Sequence, residues 1–379
     1  MPQFTQEQTE FAAAVADFCK REVGTRERRD ELTDGGTKPH SPELYKKMCD
    51  LGWAGIILDE AYGGGGGGHV EMCIFLEEAI RGGAPISAAG TTMIAALAYQ
   101  RFASEEIKQR VLSGTAAGDV LSISMSEPGA GSDVGALSCF AEKVDGGWKI
   151  NGQKTWCSNA HIAASILLIA RTDKSGKKHE GITQFFVPTD TPGLQISPID
   201  TLGGKEVNDL YFTDCFLPDS AVVGTVGNGW TQLMSGLNTE RLIVGALQVG
   251  LAERSFEYTL DYIKNREQFG RPIGSFQALR HRMADHATDI TCAKELVYSM
   301  AHEADAHPDK MFAREASMVK LKTTEVAKTM AIDSMQMMGG YGYSTEFEAE
   351  RIMRSAIIGT VVGGASEVQR DIISKTYGL

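Results

Sequence analysis

Four short stretches carry residues whose types and spacing could do chemistry. In MSEPGAGSD, 125–133, the hydroxyls of Ser126 and Ser132 stand among small residues and glycines around Pro128. Such a loop lets backbone N–H groups and hydroxyls close on a ligand. In NGQKTWCSNA, 151–160, Trp156, Cys157 and Ser158 set a large flat ring beside a hydroxyl. An indole face can stack on an aromatic cofactor while the hydroxyl bonds its rim. In NREQFGRPIGSFQ, 265–277, Arg266 and Arg271 suit phosphate, with Phe269 as a packing anchor. In MQMMGGYGY, 335–343, Gly339 and Gly340 would admit a ligand to the backbone. Each stretch has a plainer reading: an interdomain turn, a core Trp with a surface Ser, a helix end with Gly270 as its cap, and a helix C-cap.

The elements that must position these stretches fall into three regions. Residues 1–122 read as helical, because FAAAVADFCKREV, PELYKKMCDLGW, VEMCIFLEEAI and TTMIAALAYQRFA repeat apolar residues at three-four spacing. The run YGGGGGG at 62–68 interrupts them. It joins no strand to a helix within a βαβ unit, so it fails as a dinucleotide loop and is expected to be a flexible surface loop. Residues 123–222 change to strand patterns. FAEKVDGGWKING gives a strand, a turn at Asp145-Gly146-Gly147 and a second strand, and Asn151-Gly152 is a further hairpin signal. Residues 223–379 return to helix, with three long amphipathic segments and a fourth that closes the chain. The expected class is a multidomain α+β protein: an N-terminal helical domain (1–122), a middle β-barrel domain (123–222) and a C-terminal four-helix bundle (223–379).

Composition narrows the function classes. The 379-residue chain is 42% hydrophobic and 23% charged, with a formal net charge of −12. That balance disfavours nucleic acid as a partner. The seven cysteines are scattered, with no CxxC pair, so reduced thiols are expected and no metal site or disulfide frame. No apolar run reaches the ~18 residues that a membrane span needs. The N-terminus lacks signal-peptide or transit-peptide character, and a cytoplasmic location is expected.

Taken together, SEPGAGSD, the Trp156-Cys157-Ser158 segment, REQFGRPI, and GGYGY followed by SEVQR resemble the acyl-CoA dehydrogenase family, in this order and over nearly the whole chain. The resemblance implies FAD as cofactor and α,β-dehydrogenation of an acyl-CoA thioester. It places Met125 and Ser126 at the flavin pyrimidine edge, Trp156 against its rings and Ser158 near N5, with Cys157 as a further cofactor-binding position. Ser132 would touch the pantetheine, with Asn238 and Arg241 also on the substrate side. Arg266, Phe269, Gln277, Gln336, Gly339 and Gly340 match positions that reach the FAD of a neighbouring subunit, and Ala365 and Glu367 match cofactor-contacting positions. A homo-oligomer, usually a tetramer, follows from the resemblance, as does an electron-transferring flavoprotein as acceptor.

The base is the open question. Many family members carry a Glu where this chain has Gly363, in VVGGASEVQR. Glycine offers no carboxylate, but its N–H remains to stabilise negative charge on the thioester oxygen. A second subset, including isovaleryl- and long-chain-type enzymes, carries its Glu on the first bundle helix, at the position of Glu240. Helical spacing is consistent with this: Val244, Leu247 and Leu251 follow Glu240 on one face. An exposed acid near a helix start is the plainer reading. Glu127 and Glu367 are rival carboxylates. An acyl-CoA oxidase, or a flavin-binding relative without dehydrogenase activity, also fits these residues.

Overall fold

Side-chain caps set the first helix starts. Thr5 and Gln8 form a capping box at the head of α1 (Gln6–Val23). After α2 (Arg26–Thr33), Ser41 caps α3 (Pro42–Asp50) with proline in its first turn. α4 (His69–Arg81), α5 (Ala88–Phe102) and α6 (Glu105–Ala117) complete the N-terminal region. These elements come from a computed structural model that describes residues 2–379. The chain packs as two units. One holds the residues up to 29, 68–84 and 238–379; the other holds 30–67 and 85–237. The N-terminal helices are therefore shared out: α4 packs on α1 and on C-terminal helices, while α5 packs on the sheet.

The sheet-bearing unit contains β1 (Leu121–Ser124), β2 (Phe140–Val144), β3 (Gly147–Ser158), β4 (Ser165–Arg171), β5 (Ile182–Pro188), β6 (Leu194–Thr201), β7 (Gly204–Pro218) and β8 (Val222–Val223). Their order is β6-β7-β3-β2-β4-β5-β8, with β1 parallel beside β4. The sheet is mixed: β1 and β2 run parallel to β4, and its other strand pairs are antiparallel. Every residue of β4 is buried, as expected of a central strand. The core gathers Ile150, Ile166, Leu168, Phe185, Leu210 and Phe212.

Two sequence signals resolve differently here. Asn151-Gly152 is not a hairpin turn: it lies inside β3, where the register against β7 shifts between Ile150 and Gly152. Gly152 has φ 141°, the backbone freedom that such a bulge uses. The six-glycine run is not a free loop either. Gly65, Gly66 and Gly67 donate backbone bonds to Gly55, Leu58 and Ile56 at 3.0, 2.9 and 2.7 Å. A β-carbon on Gly65 would lie 3.1 Å from the Ile56 backbone, so glycine permits this close approach.

α7 (Gly229–Asn265) enters the helical unit at Asn238. Along it, Leu242, Ile243, Ala246 and Val249 are more deeply buried than Val244 and Leu247. The helix is covered nearly all round, because glycine at 245 and 250 lets Val319 and the Glu77 backbone approach closely. A small hairpin follows, β9 (Glu267–Gln268) and β10 (Arg271–Pro272). Its two-residue loop, Phe269-Gly270, has φ 55° and 79°, which replaces the expected glycine helix cap. α8 (Gln277–Ala306) and α9 (Ala313–Met338) match the sequence segments. The expected fourth helix is instead α10 (Gly340–Tyr343), α11 (Ala349–Gly359) and α12 (Ser366–Lys375), broken by the turn that carries Gly363.

Candidate active site

The turn between α11 and α12 is built on two left-handed residues, Gly363 (φ 62°) and Gly364 (φ 79°), a conformation that other residues adopt at a cost. Side chains hold it in place. Gln369 Nε2 donates to the Gly363 and Gly364 carbonyls at 3.0 and 2.9 Å. Lys320 Nζ donates to the Gly364 carbonyl at 2.8 Å. The Gly363 N–H has no backbone acceptor among the described residues. A β-carbon on Gly363 would lie 3.6 Å from Glu240 Oε1, 3.8 Å from Val244 and 3.9 Å from Lys320 Cε. The fold thus brings Glu240 to the space that a side chain at 363 would enter.

Glu240 is partly reachable, yet burial pushes its carboxyl above the usual carboxylate range, opposed by the charges of Arg241 and Lys320. Lys320 is fully buried, and burial brings its ammonium down to about 8 against the pull of Glu240. Arg241 and Asn238 are each 7% exposed. Arg241 Nε and Asn238 Oδ1 are buried without a hydrogen-bond partner among the described residues, while Asn238 Nδ2 donates to Met311 Sδ at 3.7 Å. Buried polar atoms left open in this way suit a polar ligand.

In the sheet-bearing unit, hydrogen bonds draw two of the candidate stretches together. Thr155 N donates to the Ser126 carbonyl at 2.9 Å, and Lys154 Nζ to the Met125 carbonyl at 2.8 Å. Trp156 follows at φ 58° and is 59% exposed, so the chain presents a flat ring outward from a left-handed backbone. Ser158 is half-buried beside it, and Ser132 lies on the exposed loop after the sheet's first strand. Cys157, between Trp156 and Ser158, turns inward. Its thiol is buried against Ser122 Oγ at 3.1 Å, in the sheet core. Glu127 is also excluded as a base: it accepts from Lys154 Nζ at 2.8 Å and from the Ser138 and Cys139 N–H groups at 2.7 and 2.9 Å.

The remaining candidates lie on the helical unit. Arg266, Gln336, Gly339 and Gly340 line one cleft of about 520 Å³, where the Arg266 guanidinium sits 5.1 Å from the Tyr341 ring centre. A β-carbon on Gly339 or Gly340 would meet nothing within 4 Å, so the backbone there is open to a ligand. Phe269 is 94% exposed at the hairpin tip, and Gln277 opens α8 as an exposed residue outside that cleft. Ala365 is the N-cap of α12, and Glu367 is exposed in its first turn rather than desolvated. Within this unit the exposed Phe269 ring, the Arg266 guanidinium and the open backbone at Gly339 and Gly340 have the chemistry that a flavin dinucleotide calls for: a flat face for its rings, a cation for its phosphates and room beside the chain. Lys320 escaped the sequence reading. Its signal was a lysine in register with Ala316, Thr323 and Ala327, all on the buried side of α9.

Comparison with known proteins identifies the family. The N-terminal, middle and C-terminal domain models of acyl-CoA dehydrogenase match residues 5–119, 122–215 and 227–378. The chain is 35% identical to the mitochondrial isovaleryl-CoA dehydrogenase of Solanum tuberosum, over 98% of this chain and 90% of that protein. It is 31% identical to CarC, a subunit of the caffeyl-CoA reductase-Etf complex of Acetobacterium woodii, over 98% of both. The glutaryl-CoA dehydrogenase of Mycobacterium smegmatis, solved in complex with FADH2, superimposes with a TM-score of 0.90 at 25% identity, covering 99% of this chain and 95% of that one. The chain belongs to the acyl-CoA dehydrogenase family, the FAD-dependent oxidoreductases that dehydrogenate acyl-CoA thioesters.

Proposed function

We propose that Glu240 is the base that takes the α-proton of a short branched acyl-CoA, with isovaleryl-CoA the first candidate. The observation that carries this is the 3.6 Å between Glu240 Oε1 and the position of a β-carbon on Gly363. A desolvated carboxylate with raised proton affinity is matched to a weak carbon acid. As the proton leaves, charge builds on the thioester oxygen, and the free Gly363 N–H donates to it. Arg241 and Asn238 orient the thioester end of the substrate through their open polar atoms. Ser132 lies along the pantetheine. FAD, when bound, supplies the acceptor for the hydrogen that leaves the β-carbon. Met125, Ser126, Trp156 and Ser158 hold and orient it from one unit. Arg266, Phe269, Gln277, Gln336, Gly339 and Gly340 act on the FAD of a second copy in a homotetramer, and Ala365 and Glu367 lie at the cofactor's edge. The likeness to an Etf-complex subunit supports an electron-transferring flavoprotein as acceptor. The test is anaerobic mixing of the FAD-loaded protein with isovaleryl-CoA while the visible flavin absorption is followed. Wild type bleaches, and Glu240→Gln retains FAD and stays yellow. Equal bleaching by both would remove Glu240 from this role and leave Glu367 as the next carboxylate to test.

A further inference from the structure

Lys320 is a fully buried ammonium that the reaction above does not use. It stands on α9 among Ala316, Val319, Thr323 and Thr324, all buried, where an apolar side chain would fill the space without desolvating a charge. Its one hydrogen bond among the described residues goes to the Gly364 carbonyl. Its stem and the Glu240 carboxylate flank the same point, the β-carbon position of Gly363, at 3.9 and 3.6 Å. The charged groups that act on Lys320 are Glu240 and Arg241 from α7, Glu325 from α9 itself and Glu367 from α12.

We propose that Lys320 is a positioning residue for the dehydrogenation: it pins the Gly363–Gly364 turn through the Gly364 carbonyl and sets a positive charge beside Glu240. This rests on the reading of Glu240 as the base. Burial favours the neutral carboxyl, but only the carboxylate can accept a proton. Arg241 exerts the larger attraction on Glu240 and Lys320 adds to it. Lys320 alone of the two also holds the turn that carries the Gly363 N–H. When the α-C–H bond breaks, the proton passes to Glu240 and the electron pair moves toward the thioester oxygen. The pocket's net charge is unchanged, and the negative charge moves from one neighbour of the turn to another. An ammonium fixed under that turn attracts it in both places.

Three variants separate the two parts of this role in the FAD-loaded protein. Lys320→Met removes both the charge and the bond. Lys320→Gln removes the charge but can still donate to the Gly364 carbonyl. Lys320→Arg keeps the charge. The readouts are the pH dependence of anaerobic flavin bleaching by isovaleryl-CoA, and amide hydrogen exchange of the peptide that spans 360–366. Without the charge, Glu240 holds its proton to higher pH. The acid limb should therefore move up by about one pH unit in the Met and Gln variants and return toward wild type in the Arg variant. Exchange in the turn should quicken roughly tenfold in the Met variant and stay near wild type in the Gln variant. An unmoved limb in Lys320→Gln overturns the electrostatic part, and unchanged exchange in Lys320→Met overturns the pinning part. If Glu240→Gln stays yellow while the limb is unmoved, only the Lys320 proposal falls. If Glu240→Gln bleaches like wild type, the base reading falls first. Should Lys320→Met fail to fold, the Gln and Arg variants still decide the electrostatic part.

Discussion

Two buried lysines, Lys154 and Lys320, each stand near a glutamate, and the two glutamates are driven in opposite directions. Burial alone would push Glu127 up. The Lys154 charge, its direct bond and the N–H groups of Ser138 and Cys139 outweigh burial and hold that carboxyl below the usual range. Among the described residues, Glu240 has no such set of donors. Burial dominates there, and Lys320 spends its hydrogen bond on the Gly364 carbonyl instead. A charge nearby is therefore not enough to fix a carboxylate's role. The number of donors that touch it decides whether it is a structural anion or a group free to take a proton.

The comparison breaks most sharply at the two carboxylates' partners and functions. Glu240→Gln should slow flavin reduction by about 10³- to 10⁴-fold, the span of a general base, with FAD content unchanged in stopped-flow and absorbance measurements. Lys154→Met should leave Glu127 charged and unpaired and strip the Met125 carbonyl of its donor. The cost is about 3–5 kcal/mol of stability, read by denaturant unfolding of the sheet-bearing unit.

A smaller effect has opposite signs at the two sites. Glu127 binds its proton more weakly folded than unfolded, so its stabilisation is present above the unfolded carboxylate range and is lost as pH falls through the folded value. Glu240 binds its proton more tightly folded, so it opposes folding once pH rises above the unfolded value. At pH 8, Glu127→Gln should lower the melting temperature and Glu240→Gln should raise it. The Glu240→Gln gain should vanish as pH is taken below the ordinary carboxylate range. Melting curves at several pH values check both signs, and a drop in both variants at pH 8 would mean that Glu240 is a structural anion as well.

Much of this was legible in the sequence, and the rest was hidden for physical reasons. Periodicity located α8 and α9, because each keeps a polar side. It served α7 less well: on the face of Glu240, Val244, Leu247 and Leu251 only Leu251 is buried, while Leu242, Ile243 and Ala246 are all buried, and close packing at Gly245 and Gly250 covers nearly every side. Local turn chemistry misled at Asn151-Gly152, since only the facing strand β7 reveals a bulge. Phe269-Gly270 is the same kind of signal read too late in the chain, as a cap where a hairpin forms. Glu240 and Gly363 were paired by family resemblance. Lys320 was not, because a lysine in an amphipathic helix is usually a solvated one, and its inward register shows only when the whole face of α9 is laid out.

The two glycines of the turn make the smallest and finest test. Gly363 and Gly364 share the left-handed backbone, so Ala at either pays about 1 kcal/mol of strain. They differ in what a methyl would meet. At Gly363 its neighbours stand at 3.6 Å and beyond, ordinary contact distances. At Gly364 it would come within 2.6 Å of Gln369 Nε2, the group that ties both carbonyls. Gly363→Ala should therefore cost only the strain and bleach at close to the wild-type rate, because the N–H and Glu240 stay in place. Gly364→Ala should displace Gln369, cost a further ~1 kcal/mol for its lost hydrogen bonds, and slow bleaching by moving the N–H. If instead Gly363→Ala is the slower of the two, the space in front of Glu240 is itself needed by the acyl chain. The glycine would then matter for the volume it leaves as well as for the backbone it permits.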